Sequence, residues 1–169
     1  LLESSGKLSG SGEVINEGLV DWKDGRILAP GLRNRDVMVT SNPGLRLLDV
    51  GAVVTSETDA RIFQDGDRIT MAIDSKIINE GEWVIGDLVP ETSASSIEVV
   101  SAGRIRSGDM GADINVPFEA SGEIILDCQT GCAIVLRNAT FLHDLAIASP
   151  SPDDSCPSLI LDGGGVPAG

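Results

Sequence analysis

The chain writes one short phrase twice, Ile15-Asn16-Glu17-Gly18 and Ile78-Asn79-Glu80-Gly81, with Val14 and Ile77 just ahead of them. In a longer frame SGEVINEG (11–18) aligns without a gap on DSKIINEG (74–81), 63 residues on, which is three times 21. ARIFQDG (60–66), AGRIRSG (102–108) and SGEIILD (121–127) share the grammar of a small residue, a charge, a β-branched residue and a polar turn. Val14 to Ile62 spans 48 residues and Ile77 to Ile124 spans 47, near two periods of about 24. A fixed phrase with variable spacing is the mark of coils whose loops differ in length.

Such a phrase has a physical use. A coil of short strands must turn a corner within one or two residues, which favours a left-handed backbone and hence Asn or Gly. Stacked Asn side chains can hydrogen-bond to their counterparts in neighbouring coils. A glycine after the corner lets the next strand begin without a Cβ clash. Asn16, Gly18, Asn79 and Gly81 are therefore read as structural coil corners.

The rest of the chain agrees with an all-β reading. No window of a dozen residues holds apolar positions at helical spacing, and 20 Gly and 8 Pro punctuate the sequence. Short Val- and Ile-rich runs recur, among them Leu45 to Val54, Ile69 to Ile73, Trp83 to Ile85, Ile114 to Phe118 and Ala133 to Leu136. A β-sandwich is the alternative, and it requires antiparallel hairpins at Asp24-Gly25 and Asp65-Gly66. The repeat favours a solenoid of about six or seven coils.

The pattern resembles the right-handed parallel β-helix proteins, the group that holds pectate-lyase-like enzymes, tailspikes and the filamentous passenger regions of secreted adhesins. GCAIVLRNATFLHDLAIAS (131–149), a polar loop and CPSLILDGG (156–164) carry the likeness best. The β-helix domain is placed at 8–163, after a lead-in at 1–7 and before a Gly/Pro-rich tail or linker at 164–169. The opening at Leu1 and the loose end suggest a piece of something longer.

Few residues offer chemistry. Sugar-cleaving enzymes need paired carboxylates or a metal-held acid with a strong base, and the nearest set is Arg137, His143 and Asp144 with Asp153 and Asp154 in the following loop. Galacturonan hydrolases of the resembled fold carry Asn-Thr-Asp, Asp-Asp, Gly-His-Gly and Arg-Ile-Lys motifs. Here an Asp-Asp and a single His stand without the last two, so these side chains are expected at solvent-facing coil edges. Calcium needs six to eight oxygens; Asp65, Asp67, Asp109 and Asp113 are the candidates, with a solvated acidic face the expected outcome. No other cofactor is implied. Cys128, Cys132 and Cys156 are read as disulfide candidates rather than zinc ligands, which points to an oxidising compartment. Asn138-Ala139-Thr140 is an N-glycosylation sequon. Trp22 and Trp83 are expected to pack in the core or at its edge.

A net charge of -14 and singly scattered basic residues exclude nucleic acid as a partner and weaken any anionic-membrane reading. No apolar run approaches the roughly 20 residues of a spanning helix. The expectation is a structural or adhesive module of a larger extracellular or cell-surface protein. Its partners would be other domains of the same chain, identical copies stacked end to end, or glycans. The alternative is a fragment of a polysaccharide lyase or hydrolase.

Overall fold

The computed structural model describes residues 6–40, 44–64, 66–92, 96–126, 133–141, 146–148 and 158–162. Those residues form no helix and twenty-two short strands. The first coil holds β1 (Lys7–Leu8), β2 (Val14–Asn16) and β3 (Leu19–Asp21). The second holds β4 (Gly25–Ile27), β5 (Gly31–Asn34) and β6 (Val37–Val39), and the third β7 (Arg46–Leu48), β8 (Val53–Ser56) and β9 (Arg61–Phe63). Then come β10 (Arg68–Met71), β11 (Lys76–Asn79) and β12 (Glu82–Ile85), followed by β13 (Asp87–Pro90), β14 (Glu98–Ser101) and β15 (Arg104–Ser107). The sixth set is β16 (Ala112–Ile114), β17 (Phe118–Ala120) and β18 (Glu123–Ile125). The last is β19 (Ala133–Leu136), β20 (Ala139–Phe141) and β21 (Ala146–Ala148), with β22 (Ser158–Leu161) beyond it.

Each strand pairs with the strand three places later, so the coils stack into three parallel sheets. The first sheet runs β1-β4-β7-β10-β13-β16-β19-β22, and the second and third hold seven strands each. This is a parallel β-solenoid, and the sandwich alternative is set aside: every strand pair among the described residues is parallel. Gly25 opens β4 rather than turning a hairpin, and Asp65 lies outside the described residues.

The repeated phrase marks one column of the second sheet. Register runs Asn16–Asn34–Ser56–Asn79–Ser101–Ala120–Phe141, so Asn16 and Asn79 are three coils apart. The coils themselves vary: Val14 lies opposite Leu32, 18 residues on, whereas Leu88 lies opposite Ile114, 26 residues on. The other phrases belong elsewhere. Ile62, Ile105 and Ile124 line a column of the third sheet, so the offsets from Val14 to Ile62 and Ile77 to Ile124 join different sheets.

Most inward positions are apolar because each is sandwiched between its counterparts one coil up and one coil down. Leu32, Val54, Ile77, Val99 and Phe118 form one such column, and Met38, Ile62, Trp83, Ile105 and Ile124 another. All ten are buried. At the corner after the second sheet, left-handed backbone is not what turns the chain. Among the described residues the only non-glycine with positive φ is Asp74, and the left-handed glycines are Gly25, Gly31, Gly51, Gly66 and Gly111. Gly81 serves close approach instead: a Cβ there would collide with the Ala60 carbonyl of the coil below, and one at Gly103 with the Gly81 carbonyl.

Candidate functional site

The polar column at the repeated corner faces inward. Asn16 Nδ2 donates to Asn34 Oδ1 at 2.7 Å, and Asn79 Nδ2 donates to Ser101 Oγ at 3.0 Å. The same amides reach carbonyls in the next coil, Asn16 to Val37 O at 3.0 Å and Asn34 to Arg61 O at 3.1 Å. Buried backbone acceptors at a corner need such donors, because the sheet ladder ends there. The Asn column is thus part of the scaffold. Gly18 follows it in the first coil, where an added Cβ would meet nothing within 4 Å.

A second polar cluster lies inside the solenoid at the corner joining the third and first sheets, and no motif announced it. Arg46 sits in an inward column between Gly25 and Ile69, with its side chain 0% exposed. Its Nε donates to the Trp22 carbonyl at 2.6 Å, and its Nη2 lies 3.4 Å from Asp67 Oδ2. Asp67 also accepts from Thr40 Oγ1 at 3.0 Å. Burial draws the guanidinium pKa down, while Asp67, Asp24 and Asp21 draw it up. Nearby, buried Gln64 accepts from the Trp83 indole at 3.1 Å and donates to the carbonyls of Asp67 and Asp87.

The outer faces are laced between coils. Arg33 lies 2.7 Å from Glu13 and 3.4 Å from Glu57, and Arg35 lies 3.1 Å from Glu17 and 3.2 Å from Glu57. Elsewhere Lys76 pairs with Glu98, Arg104 with Glu123, and Arg106 with Glu82. Hydrogen bonds from Arg35 and then Arg33 hold the Glu57 carboxyl below its ordinary pKa. A depressed folded-state pKa gives stability above the unfolded value and loses it as pH falls through the folded one. The stability difference between the native chain and Glu57→Gln is therefore expected to shrink as pH drops through the carboxylate range. Chemical denaturation of both proteins across that range measures it.

Of the proposed chemical residues, few meet. Arg137 grips Asp113 with two hydrogen bonds, 2.8 and 2.7 Å, and reaches Asp162 at 2.8 Å. Its hydrogen bond with Asp113 leads the causes that raise its pKa, and it ties three successive coils of the first sheet. His143, Asp144, Asp153 and Asp154 lie outside the described residues, as do Cys128, Cys132 and Cys156. Among the calcium candidates, Asp65 is likewise outside, Asp67 faces Arg46, Asp113 faces Arg137, and Asp109 is exposed. Among the described residues no three His, Cys, Asp or Glu side chains gather at metal-binding distance. Asn138 is exposed at the bend between β19 and β20, and Thr140 of the sequon is exposed within β20. Trp22 and Trp83 are both buried, in different columns.

An open trough of about 660 Å³ lies on the outside of the first sheet, between Lys7, Arg26, Leu47, Thr70 and Glu91. No helix of the described chain is long and apolar enough to cross a membrane. No known protein family, curated protein or solved structure matches this chain.

Proposed function

We propose that this chain is a structural or adhesive β-helical module of a larger extracellular or cell-surface protein, without catalytic activity of its own and suited to building filaments. One observation carries the reading. Of twelve Lys and Arg residues, ten make ion pairs among the described residues (Lys23, Arg26, Arg33, Arg35, Arg46, Arg68, Lys76, Arg104, Arg106 and Arg137), and of these pairs all but Lys23–Asp21 join different coils. Charge is distributed as braces along the solenoid instead of converging on one groove. Each exposed pair is weak, about 0–1 kcal/mol, yet a ladder of them opposes twisting and fraying of a stack.

Eight strands in the first sheet give a rod of about 34 Å at the usual strand spacing. Sheet edges at each end favour addition of further coils, whether from the same chain or from identical copies. The exposed sequon suits a glycan at Asn138, and three cysteines suit an oxidising compartment. The likeness to right-handed parallel β-helix proteins extends to their filamentous adhesin members in this reading. Electron microscopy of the material from its native source tests it. Rods or filaments with this domain repeating along them are expected; discrete globular particles would remove the polymer. Incubation with polygalacturonate and neutral glycans should release no new chain ends, and cleavage would overturn the non-catalytic assignment.

A further inference from the structure

We infer that the outer face of the third sheet, over its first four coils, is a side-to-side pairing surface for a second copy of this chain. Five of the eight outward positions there are apolar: Leu19 and Val37 in one row, Val39, Phe63 and Val84 in the next. Leu19 is 67% and Phe63 36% exposed, large apolar side chains set on a parallel sheet face. Parallel sheets are ordinarily covered on both faces, and contiguous exposed apolar patches mark contact sites. The first row turns charged at Arg61 in the third coil and continues through Glu82, Arg104 and Glu123, and the second is interrupted by Arg106 in the fifth, before Ile125. The apolar area therefore has a boundary.

Charge complementarity chooses the occupant. Arg61 stands in the Leu19–Val37 row, exposed, with no ion pair or side-chain hydrogen bond among the described residues. It is a guanidinium at the edge of an apolar patch, and its partner must bring a carboxylate. The patch holds one itself: Asp21 stands in the other row, two coils below Phe63. The midpoint between Arg61 and Asp21 falls between Val37 and Val39. A twofold axis through that midpoint lays Arg61 of each copy over Asp21 of the other, with the valines and Phe63 packed between. Asp21 is half-buried, faces Lys23 at 3.6 Å and lends charge to Arg46, and its weak pair with Lys23 permits a further contact from outside. A twofold contact needs a self-complementary patch of this kind. The inference is independent of end-to-end stacking, which uses the sheet edges and leaves this face free.

Sedimentation equilibrium of the whole chain over a concentration series tests the pairing, with circular dichroism confirming that each variant is folded. A dimer is expected, weakened by salt. Phe63→Glu should loosen it roughly thirtyfold or more, the size of losing a central anchor. Arg61→Asp should also loosen it, and the double swap Arg61→Asp with Asp21→Arg should restore it. If Phe63→Glu fails to fold, the charge swap alone decides. A native chain that stays monomeric at its highest soluble concentration overturns the inference. So does a dimer indifferent to both single changes, or one that the double swap does not restore.

Discussion

Asp67→Ala is expected to destabilise the fold by about 3–5 kcal/mol, the cost of removing one partner from a buried ion pair. The reason is asymmetric. The Arg46 side chain is 0% exposed, whereas that of Asp67 is 17% exposed and sits at the corner between β9 and β10. Removing the carboxylate takes from a guanidinium in the solenoid interior the acid that acts on it most strongly; the carbonyls of Trp22 and Gly44, 2.6 and 3.4 Å away, carry no charge, and Asp24 and Asp21 act on it less. Thr40 loses its nearer acceptor at the same time. Arg46→Met makes the opposite change. It places an aliphatic side chain in a column that continues through Ile69, Leu88 and Ile114. Asp67 is left partly hydrated, so the expected loss is smaller. The double variant Arg46→Met with Asp67→Ala should recover most of the loss of Asp67→Ala alone, because replacing a buried pair by apolar side chains is often close to neutral. Urea unfolding of the four proteins, followed by far-ultraviolet circular dichroism, gives the cycle. Additive losses would mean that Arg46 and Asp67 do not act as a pair.

Arg46 also shows where sequence reading reaches its limit. In Leu45-Arg46-Leu47-Leu48 the polar residue reads as the outward one, yet strand alternation from buried Leu48 turns Arg46 inward and leaves Leu45 83% exposed. The long apolar run Leu45 to Val54 is two strands separated by a turn with Gly51 at φ +65°, and Ile114 to Phe118 likewise straddles a corner. Conversely β4 (GRI), β5 (GLRN) and β13 (DLVP) escape a search for apolar runs, because their outward positions are Arg26, Arg33, Asp87 and Val89 and their starts or ends are Gly or Pro. The class of fold was legible because the corner phrase recurs at three coils, a spacing that survives loops of unequal length. Phrases from two different sheets looked alike because both turn out of a strand through a small residue. Register decides between them, and register is not written in any local motif. The charged ladders, and Arg61 standing outside them, emerge only once register is known.

Trp83→Ala is expected to cost about 3–5 kcal/mol, as large aromatic truncations in a closed core do. Trp83 is 0% exposed and occupies the inward column between Ile62 and Ile105, so neighbouring coils can close the gap only by giving up their own sheet pairing. Its indole N–H also answers the buried Gln64 oxygen. Trp83→Phe separates these contributions. It keeps most of the ring volume and leaves Gln64 Oε1 without that donor, for an expected loss of about 1–3 kcal/mol. Trp22 supplies the comparison within the same molecule. It is equally buried, but its indole N–H has no hydrogen-bond partner among the described residues. Trp22→Phe removes a buried donor that is already unanswered, so its cost should stay below about 1.5 kcal/mol, near that of a conservative core swap. The expected order is therefore Trp83→Ala, then Trp83→Phe, then Trp22→Phe, read from urea midpoints at constant slope. If the two Phe variants lose equal stability, the Trp83–Gln64 hydrogen bond contributes nothing net. Gln64 would then be held by its own donors to Asp67 and Asp87 alone.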